Sequence, residues 1–125
     1  MEVDARLRAL DLGGPWLYWL DAGGFCLDGG ATGGHSRGHQ ATLIDGTEGV
    51  ALLHLGDLLV TDAHLPPAWV SALDDFPLDT IAAKRDWLGR AAREGWWVAF
   101  SHDAKFTAGR LDAEGRATEL QAVRS

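Results

Sequence analysis

The segment GGHSRGHQATLIDGTEGVALLHLGD, residues 33–57, decides the fold of this chain. It contains two apolar runs, Ala41–Ile44 and Val50–Leu55, and the residues between them begin with an Asp-Gly pair, which is a strong turn signal. The segment therefore predicts a β-hairpin. An imidazole, His35, precedes the hairpin in a glycine-rich loop, and a carboxylate, Asp57, follows it directly.

The residues after the hairpin predict one main helix and further strands. Apolar positions recur at helical spacing over Leu78–Glu94, with an acidic residue near the start and a basic residue near the end, and Gly95 ends the helix. Trp96–Phe100 is predicted to be a strand that is followed by Ser-His-Asp, and Gly109–Leu111 with Ala117–Val123 to be a final hairpin. This order indicates an α/β or α+β domain with a mostly antiparallel or mixed sheet.

Residues Met1–Gly30 form a poorly patterned lead-in that glycine pairs interrupt. Within it, Pro15–Leu20 is predicted to be either a short strand or a capping segment. No internal repeat, low-complexity tract or linker divides the 125 residues. We therefore expect a single domain, or part of one, over residues 1–125.

The composition argues against several classes of protein. A net charge of −7 and a pI near 5.0, with scattered basic residues, argue against nucleic-acid or anionic-membrane partners. No apolar stretch approaches the roughly 20 residues that a membrane-spanning helix needs. The only cysteine, Cys26, cannot form an intrachain disulfide, and the first residues do not have the pattern of a secretion signal. We therefore expect a cytoplasmic protein.

Three polar side chains stand where a chemical site is expected. His35 lies in a glycine-rich loop before a strand, Asp57 ends an apolar strand, and His102 follows another apolar strand. A carboxylate buried at a strand end is costly unless it is paired, hydrogen-bonded or coordinated to a metal. Imidazole nitrogens and carboxylate oxygens are ligands that suit Zn²⁺. Spacing alone is a weak signal, because the chain has no Cys-x-x-Cys unit.

The succession GGHSRGHQATLI, LLHLGDLLVTDAHLPPAW, helix and GWWVAFSHD resembles the second half of metallo-β-lactamase-fold hydrolases, including the lactonase-like branch, from Gly33 to Val123. The resemblance implies half of an αβ/βα sandwich. In that family a G-H-[ST]-x-G-H loop supplies one histidine ligand, a Gly-Asp at a strand end supplies the aspartate that bridges two metals, and a histidine after a later strand completes the set. Arg37 stands where the family commonly has proline, and the family's H-x-H-x-D-H motif is absent.

Carried onto this chain, the resemblance implies that His35, Asp57 and His102 are metal ligands. Two Zn²⁺ ions would occupy the intact site, each held by one of the histidines, with Asp57 as the catalytic carboxylate between them. The chain would then offer about half of each coordination shell. Because Zn²⁺ prefers four donors, we expect weak or no zinc binding by the isolated chain.

Four further residues are weaker candidates. His39 is either a residue that orients a ligand or an exposed loop histidine. His64 lies in a loop that resembles one lining the substrate cleft of related hydrolases, although a surface position is an equal alternative. His54 is predicted to be structural. Asp103 is predicted either to form a hydrogen bond near His102 or to begin the following turn.

Two functions and one unrelated alternative remain open. The first is a zinc-dependent hydrolase of an ester or lactone bond, acting through a metal-bound hydroxide on a small-molecule substrate after a separate N-terminal half completes the site. The second is a truncated, non-catalytic half-domain or pseudoenzyme, whose uncovered apolar sheet face would promote association, including homo-oligomerisation. The third is an unrelated α/β binding domain, in which the three candidate ligands would not converge.

Overall fold

The computed structural model describes residues 7–10, 17–20, 25–46 and 50–123, which form two β-sheets and one long helix. The elements follow one another as β1 (Leu7–Leu10), β2 (Leu17–Leu20), β3 (Phe25–Ala31), β4 (Gln40–Gly46), β5 (Ala51–His54), α1 (Pro77–Glu94), β6 (Trp97–Ala99), β7 (Phe106–Leu111) and β8 (Ala117–Ala122). Two short 3₁₀ turns, Gly56–Leu58 and Asp62–His64, lie between β5 and α1. Within these described ranges, no helix is long and apolar enough to cross a bilayer.

The main sheet is mixed, and one parallel pair of strands positions the candidate site. Six strands lie in the order β3-β4-β5-β6-β7-β8, and β5 and β6 are the parallel pair in an otherwise antiparallel arrangement. Parallel neighbours need a crossover connection, which here contains α1. Because β5 and β6 run in the same direction, the chain leaves both strands at one edge of the sheet. Asp57 follows β5 there, and His102 follows β6.

Both predicted hairpins are confirmed, with shifted boundaries. In the first, β4 pairs with β5 so that Thr42 lies opposite His54. The strand β4 continues to Gly46 because β3 pairs along it as far as Phe25. Residues 47–49 of the predicted turn lie outside the described residues. In the second hairpin, β7 starts at Phe106, earlier than predicted, because its pairing with β8 begins there.

The lead-in contains more strand than its sequence pattern predicted. The strand alternative for Pro15–Leu20 is confirmed over Leu17–Leu20, where β2 pairs with β1; residues 15 and 16 lie outside the described residues. Neither β1 nor β3 was predicted. In β3, the pair Gly29-Gly30 reads as a loop signal, yet both residues pair with β4 across the sheet.

The predicted helix is confirmed as α1, which begins one residue earlier, at Pro77. Proline suits the first helical turn because its missing N–H is not needed there, and Gly95 ends the helix with a left-handed φ of 71°. The buried face differs from the apolar pattern in the sequence. Leu78 is 78% exposed, whereas the polar residues Thr80 and Lys84 are completely buried. Each of these two buried polar side chains has hydrogen-bond partners, which lets them lie there.

The apolar core lies on both faces of the main sheet. Successive residues of a strand point to opposite faces, so Leu53 belongs to the cluster under α1 and Leu52 to a second cluster on the other face. In the second cluster, Trp97 is 3% exposed and the guanidinium of Arg110 lies 4.7 Å from its ring centroid. The expectation of an uncovered apolar sheet face is therefore wrong for the described central strands, because their side chains are buried on both sides.

Candidate metal centre

The glycine-rich loop before β4 is shaped by two left-handed glycines. Gly33 and Gly34 have φ values of 61° and 86°, which side-chain-bearing residues rarely adopt. The backbone N–H groups of Thr32 and Gly33 both donate to the carbonyl of His39 and close the loop. A Cβ at Gly34 would lie 2.9 Å from the backbone nitrogen and Cα of Thr80, so glycine is what lets the loop pack against the first turns of α1.

His35 is held on one side of its ring by a buried carboxylate. Its Nδ1 lies 3.0 Å from Oδ1 of Asp74, whose side chain is 1% exposed, and the hydroxyl of Thr80 donates to Oδ2 of the same carboxylate at 2.8 Å. A carboxylate can only accept, so Nδ1 of His35 carries the hydrogen. In the neutral ring, Nε2 then has its lone pair free and directed away from Asp74.

Asp57 lies in the 3₁₀ turn that follows β5 and faces two imidazoles. Its Oδ2 is 3.3 Å from Nε2 of His35, and its Oδ1 is 3.2 Å from Nε2 of His102. The turn requires Gly56, whose φ is 53° and where a Cβ would lie 2.9 Å from Nε2 of His39. The sequence prediction that Asp57 stands where a buried strand meets a loop is confirmed, and its side chain is 43% exposed.

His102 is positioned by backbone bonds between the two loops that leave the parallel strands. Its N–H donates to the carbonyl of Val60 at 2.9 Å, and the N–H of Ser101 donates to the carbonyl of Leu59 at 3.1 Å. These bonds tie the residues after β6 to the residues that follow the first 3₁₀ turn, and His102 lies beside Asp57. The imidazole itself is 70% exposed, so it is the most accessible of the three candidate ligands.

Asp103 braces the same pair of loops. Its carboxylate accepts hydrogen bonds from the backbone N–H groups of Asp62, Lys105 and Phe106 at 2.9, 2.7 and 3.0 Å. Burial opposes ionisation of this carboxyl, but the three hydrogen bonds outweigh burial and lower its pKa. Of the two alternatives for Asp103, the turn is therefore the one observed, and the carboxylate also ties the turn to the loop after β5.

The two further histidine candidates have local partners. Nδ1 of His39 lies 2.6 Å from the hydroxyl oxygen of Thr32. The ring of His39 stands edge-on to the ring of His35, with the two centroids 6.0 Å apart. Burial and the neighbouring His35 lower the pKa of His39, which favours its neutral form. His64 bonds the hydroxyl of Thr61 at 2.8 Å through its Nδ1. Its predicted place at a substrate cleft stays a prediction.

His54 is exposed at the end of β5, and its Nδ1 accepts a hydrogen bond from the N–H of Gly56. It thus helps to shape the turn that carries Asp57, in keeping with the structural role that the sequence predicted. Two residues of the site were not found from the sequence, Asp74 and Thr80. Asp74 belongs to an Asp-Asp pair in a loop without a motif. Thr80 stands at a polar position of α1, so the apolar pattern of the helix gives no signal for it.

The three candidate ligands converge, but they do not surround one point. Each oxygen of Asp57 faces a different imidazole, as a carboxylate between two ions would require. Among the described residues, no group of three or more histidine, cysteine, aspartate or glutamate side chains is arranged to hold one metal ion. The convergence argues against the alternative of an unrelated domain in which these side chains lie apart.

Three solved structures that this chain resembles are described as hydrolases or as a lactonase. A probable metal-dependent hydrolase from Staphylococcus aureus matches 79% of the chain at 29% sequence identity with a TM-score of 0.74. The chain has part of a metallo-β-lactamase fold. AidC, a dizinc quorum-quenching lactonase solved in complex with a product, matches 79% of the chain at 20% identity with a TM-score of 0.62. The hydrolase AbOPH, in the beta lactamase superfamily, matches 82% at 21% identity with a TM-score of 0.60.

This chain spans about a third of the length of each of the three similar proteins. The chain covers 36%, 33% and 35% of the three matched chains, in the order given above. Its mixed six-stranded sheet with one main helix agrees with the α+β half-sandwich expected from the sequence. No protein-family model matches the sequence, and no curated protein matches it.

Within this part of the metallo-β-lactamase fold, the ligand atoms suit a divalent cation in kind and direction. Nε2 of neutral His35 and Oδ2 of Asp57 are both acceptors, and they face each other at 3.3 Å. Two facing acceptors repel unless a proton or a cation lies between them. A metal with nitrogen and oxygen ligands fits this need, but the described residues supply one imidazole and one carboxylate oxygen per ion, whereas Zn²⁺ takes about four donors.

Proposed function

We propose that this chain is the part of a metal-dependent hydrolase that holds a bridging aspartate between two zinc ions. The observation that carries the proposal is the carboxylate of Asp57, which has the Nε2 atom of one imidazole at each oxygen. His35 would hold one ion and His102 the other. Bound zinc would polarise a carbonyl group and make water nucleophilic at neutral pH.

The chain's own residues would orient the ligands and keep the two ions apart. The loop that carries His35 is fixed to α1, and the turn that carries Asp57 is tied to the loop of His102 by backbone bonds. The carboxylate would also lower the repulsion between two cations that lie close together. The site would therefore be half preformed before any metal arrives.

The substrate class that we propose is an ester or a lactone. The support is that one similar protein is a lactonase and that all three are hydrolases. The remaining donors would come from a complementary chain that carries the H-x-H-x-D-H motif. A second copy of this chain does not contain that motif, so self-association would not complete the site.

Zinc titration of the full chain tests this proposal. We expect weak binding that Asp57→Asn abolishes, because the variant removes the negative charge common to both half-sites. Asp86→Asn is the matched control, since Asp86 is an exposed carboxylate on α1. Isothermal titration calorimetry gives affinity and stoichiometry for each protein. Equal zinc affinity in Asp57→Asn and Asp86→Asn would contradict the proposal.

An activity assay tests the incomplete-site part of the proposal separately. We expect the pure, zinc-loaded chain to hydrolyse neither aryl esters nor lactones above the rate of zinc-free buffer. Hydrolysis that is lost in Asp57→Asn would show that the chain forms a working site without a partner. That result would overturn the need for a complementary chain while keeping the assignment of Asp57.

A second candidate function, a non-catalytic association module, has one specific observation in its favour. Large apolar side chains are exposed between the second 3₁₀ turn and the first turn of α1, namely Trp69 at 66%, Leu73 at 78% and, within α1, Leu78 at 78%. Exposed apolar surface of this kind is typical of contact sites. For this function we propose a second copy of the chain as the occupant. A monomer at all concentrations in sedimentation velocity would refute it, and a dimer that Leu73→Ser dissociates would support it.

A further inference from the structure

Asp74 is a buried carboxylate whose two oxygens are both engaged by the candidate site. Its side chain is 1% exposed, and the nearest polar groups are Nδ1 of His35 at 3.0 Å and the hydroxyl of Thr80 at 2.8 Å. Burying a carboxylate is costly unless hydrogen bonds compensate for its lost hydration. This carboxylate therefore stays in place only while it is bonded to the imidazole and to the helix.

We infer that Asp74 is a positioning residue that fixes the tautomer and the direction of the His35 ring. Because Asp74 only accepts, it holds the hydrogen on Nδ1 and leaves the lone pair of Nε2 pointing at Asp57. Thr80 fixes the carboxylate in turn by donating to its other oxygen. The inference rests on the proposed function only in giving Nε2 a metal to bind.

The backbone around this pair is anchored independently of the Asp74 side chain. The N–H of Asp75 donates to the carbonyl of His35 at 3.3 Å, and the N–H of Phe76 donates to the carbonyl of Gly34 at 2.8 Å. Neither of these bonds involves the carboxylate of Asp74. A variant at position 74 is therefore expected to keep the loops together while freeing the imidazole.

The two candidate imidazoles differ in this respect. His35 has its buried acceptor, whereas within the described part of the chain the ring of His102 has one polar partner, Asp57, and is 70% exposed. A ring that is fixed by a carboxylate on one nitrogen loses less freedom when the other nitrogen binds a metal. The half-site of His35 is thus the preorganised one.

The tautomer of His35 can be measured on the metal-free chain. Two-bond nitrogen–proton correlation spectra of ¹⁵N-labelled protein, recorded where His35 is neutral, distinguish hydrogen on Nδ1 from hydrogen on Nε2. We expect the Nδ1–H form in the unaltered chain and in the control Asp75→Ala, and a shift towards Nε2–H in Asp74→Ala. If the ring of His35 carries its hydrogen on Nε2 in the unaltered chain, the inference is overturned, and this result does not depend on whether any variant folds. The inference is also overturned if a folded Asp74→Ala variant keeps the same His35 tautomer as the unaltered chain.

Zinc affinity then separates this inference from the proposed function. Loss of a residue that orients a metal ligand typically weakens metal binding by about 10- to 100-fold, and we expect a loss in that range for Asp74→Ala and none for Asp75→Ala. An equal affinity in both variants would overturn the role of Asp74 towards a metal. If the tautomer shifts as expected but Asp57→Asn binds zinc as tightly as Asp86→Asn does, the positioning role stands and the proposed function fails.

Discussion

Replacing Lys84 with methionine should remove a rise in stability that the chain gains at alkaline pH. Lys84 is completely buried on α1, where its Nζ donates to the backbone carbonyls of Trp69 at 2.7 Å and Pro66 at 3.3 Å. Burial lowers the pKa of this amine from 10.5 to about 8, although the nearby charge of Asp74 acts in the opposite direction. The folded chain therefore releases this proton at lower pH than the unfolded chain does.

The sign and the size of the effect follow from this difference in pKa. Between about pH 8 and pH 10.5, the unfolded chain binds more protons at Lys84 than the folded chain, so the free energy of unfolding rises with pH. The interval is about 2.5 pH units, and each unit corresponds to about 1.4 kcal/mol, which gives a rise of about 3 kcal/mol. This contribution of Lys84 to the free energy of unfolding is complete above pH 10.5, the pKa of the amine in the unfolded chain. It is lost as the pH falls to about 8, the pKa of the amine in the folded chain.

Urea unfolding followed by circular dichroism over this pH range measures the effect. We expect the stability of the unaltered chain, relative to Lys84→Met, to rise by about 3 kcal/mol across the window. Lys105→Met is the matched control, since Lys105 is exposed, and it should keep the slope of the unaltered chain. Parallel curves for the unaltered chain and Lys84→Met would refute the reasoning, because they would mean that Lys84 has the same pKa folded and unfolded.

Two further predictions concern the loops of the candidate metal centre. Gly34→Ala should cost roughly 1–3 kcal/mol of unfolding free energy, because it puts a Cβ on a left-handed residue against the backbone of Thr80. The control Gly38→Ala should cost far less, because a Cβ there would meet nothing within 4 Å. Equal losses of stability for the two variants in urea unfolding would contradict this prediction. Asp103→Ala should leave three backbone N–H groups without the carboxylate that accepts their hydrogen bonds. The loop that carries His102 should then become less rigid. Hydrogen exchange at those amides should become faster, and unchanged rates would argue against the bracing role.

Local sequence patterns were sufficient for the regular elements with strong signals. The helix α1 was predicted to within one residue from periodic apolar residues and a glycine stop, and the β4–β5 hairpin from two apolar runs around an Asp-Gly pair. These signals act within a few residues of chain, so they can be read without knowledge of the fold. The strand β3 has no such signal, because its partner β4 stabilises it from across the sheet.

For the candidate ligands, the sequence indicated which residues they are, and the structure showed how they are arranged. His35, Asp57 and His102 were selected from the sequence, because each stands in a loop next to an apolar strand and because the order of motifs resembles a known family. Their convergence was not predictable from spacing. It depends on the parallel pairing of β5 with β6, which brings two loops together that are far apart in the chain.

The sequence by itself determined the order of the main elements from β4 onwards, the class of fold and the identity of the polar residues at the loop ends. The tertiary structure alone decided that Asp74 bonds His35 across 39 positions of sequence and that Thr80 and Lys84 lie buried on α1. The physical reason is that a buried polar group is stable only with a suitable partner, and that partner comes from packing of distant segments. No periodic pattern along the chain specifies such a pair.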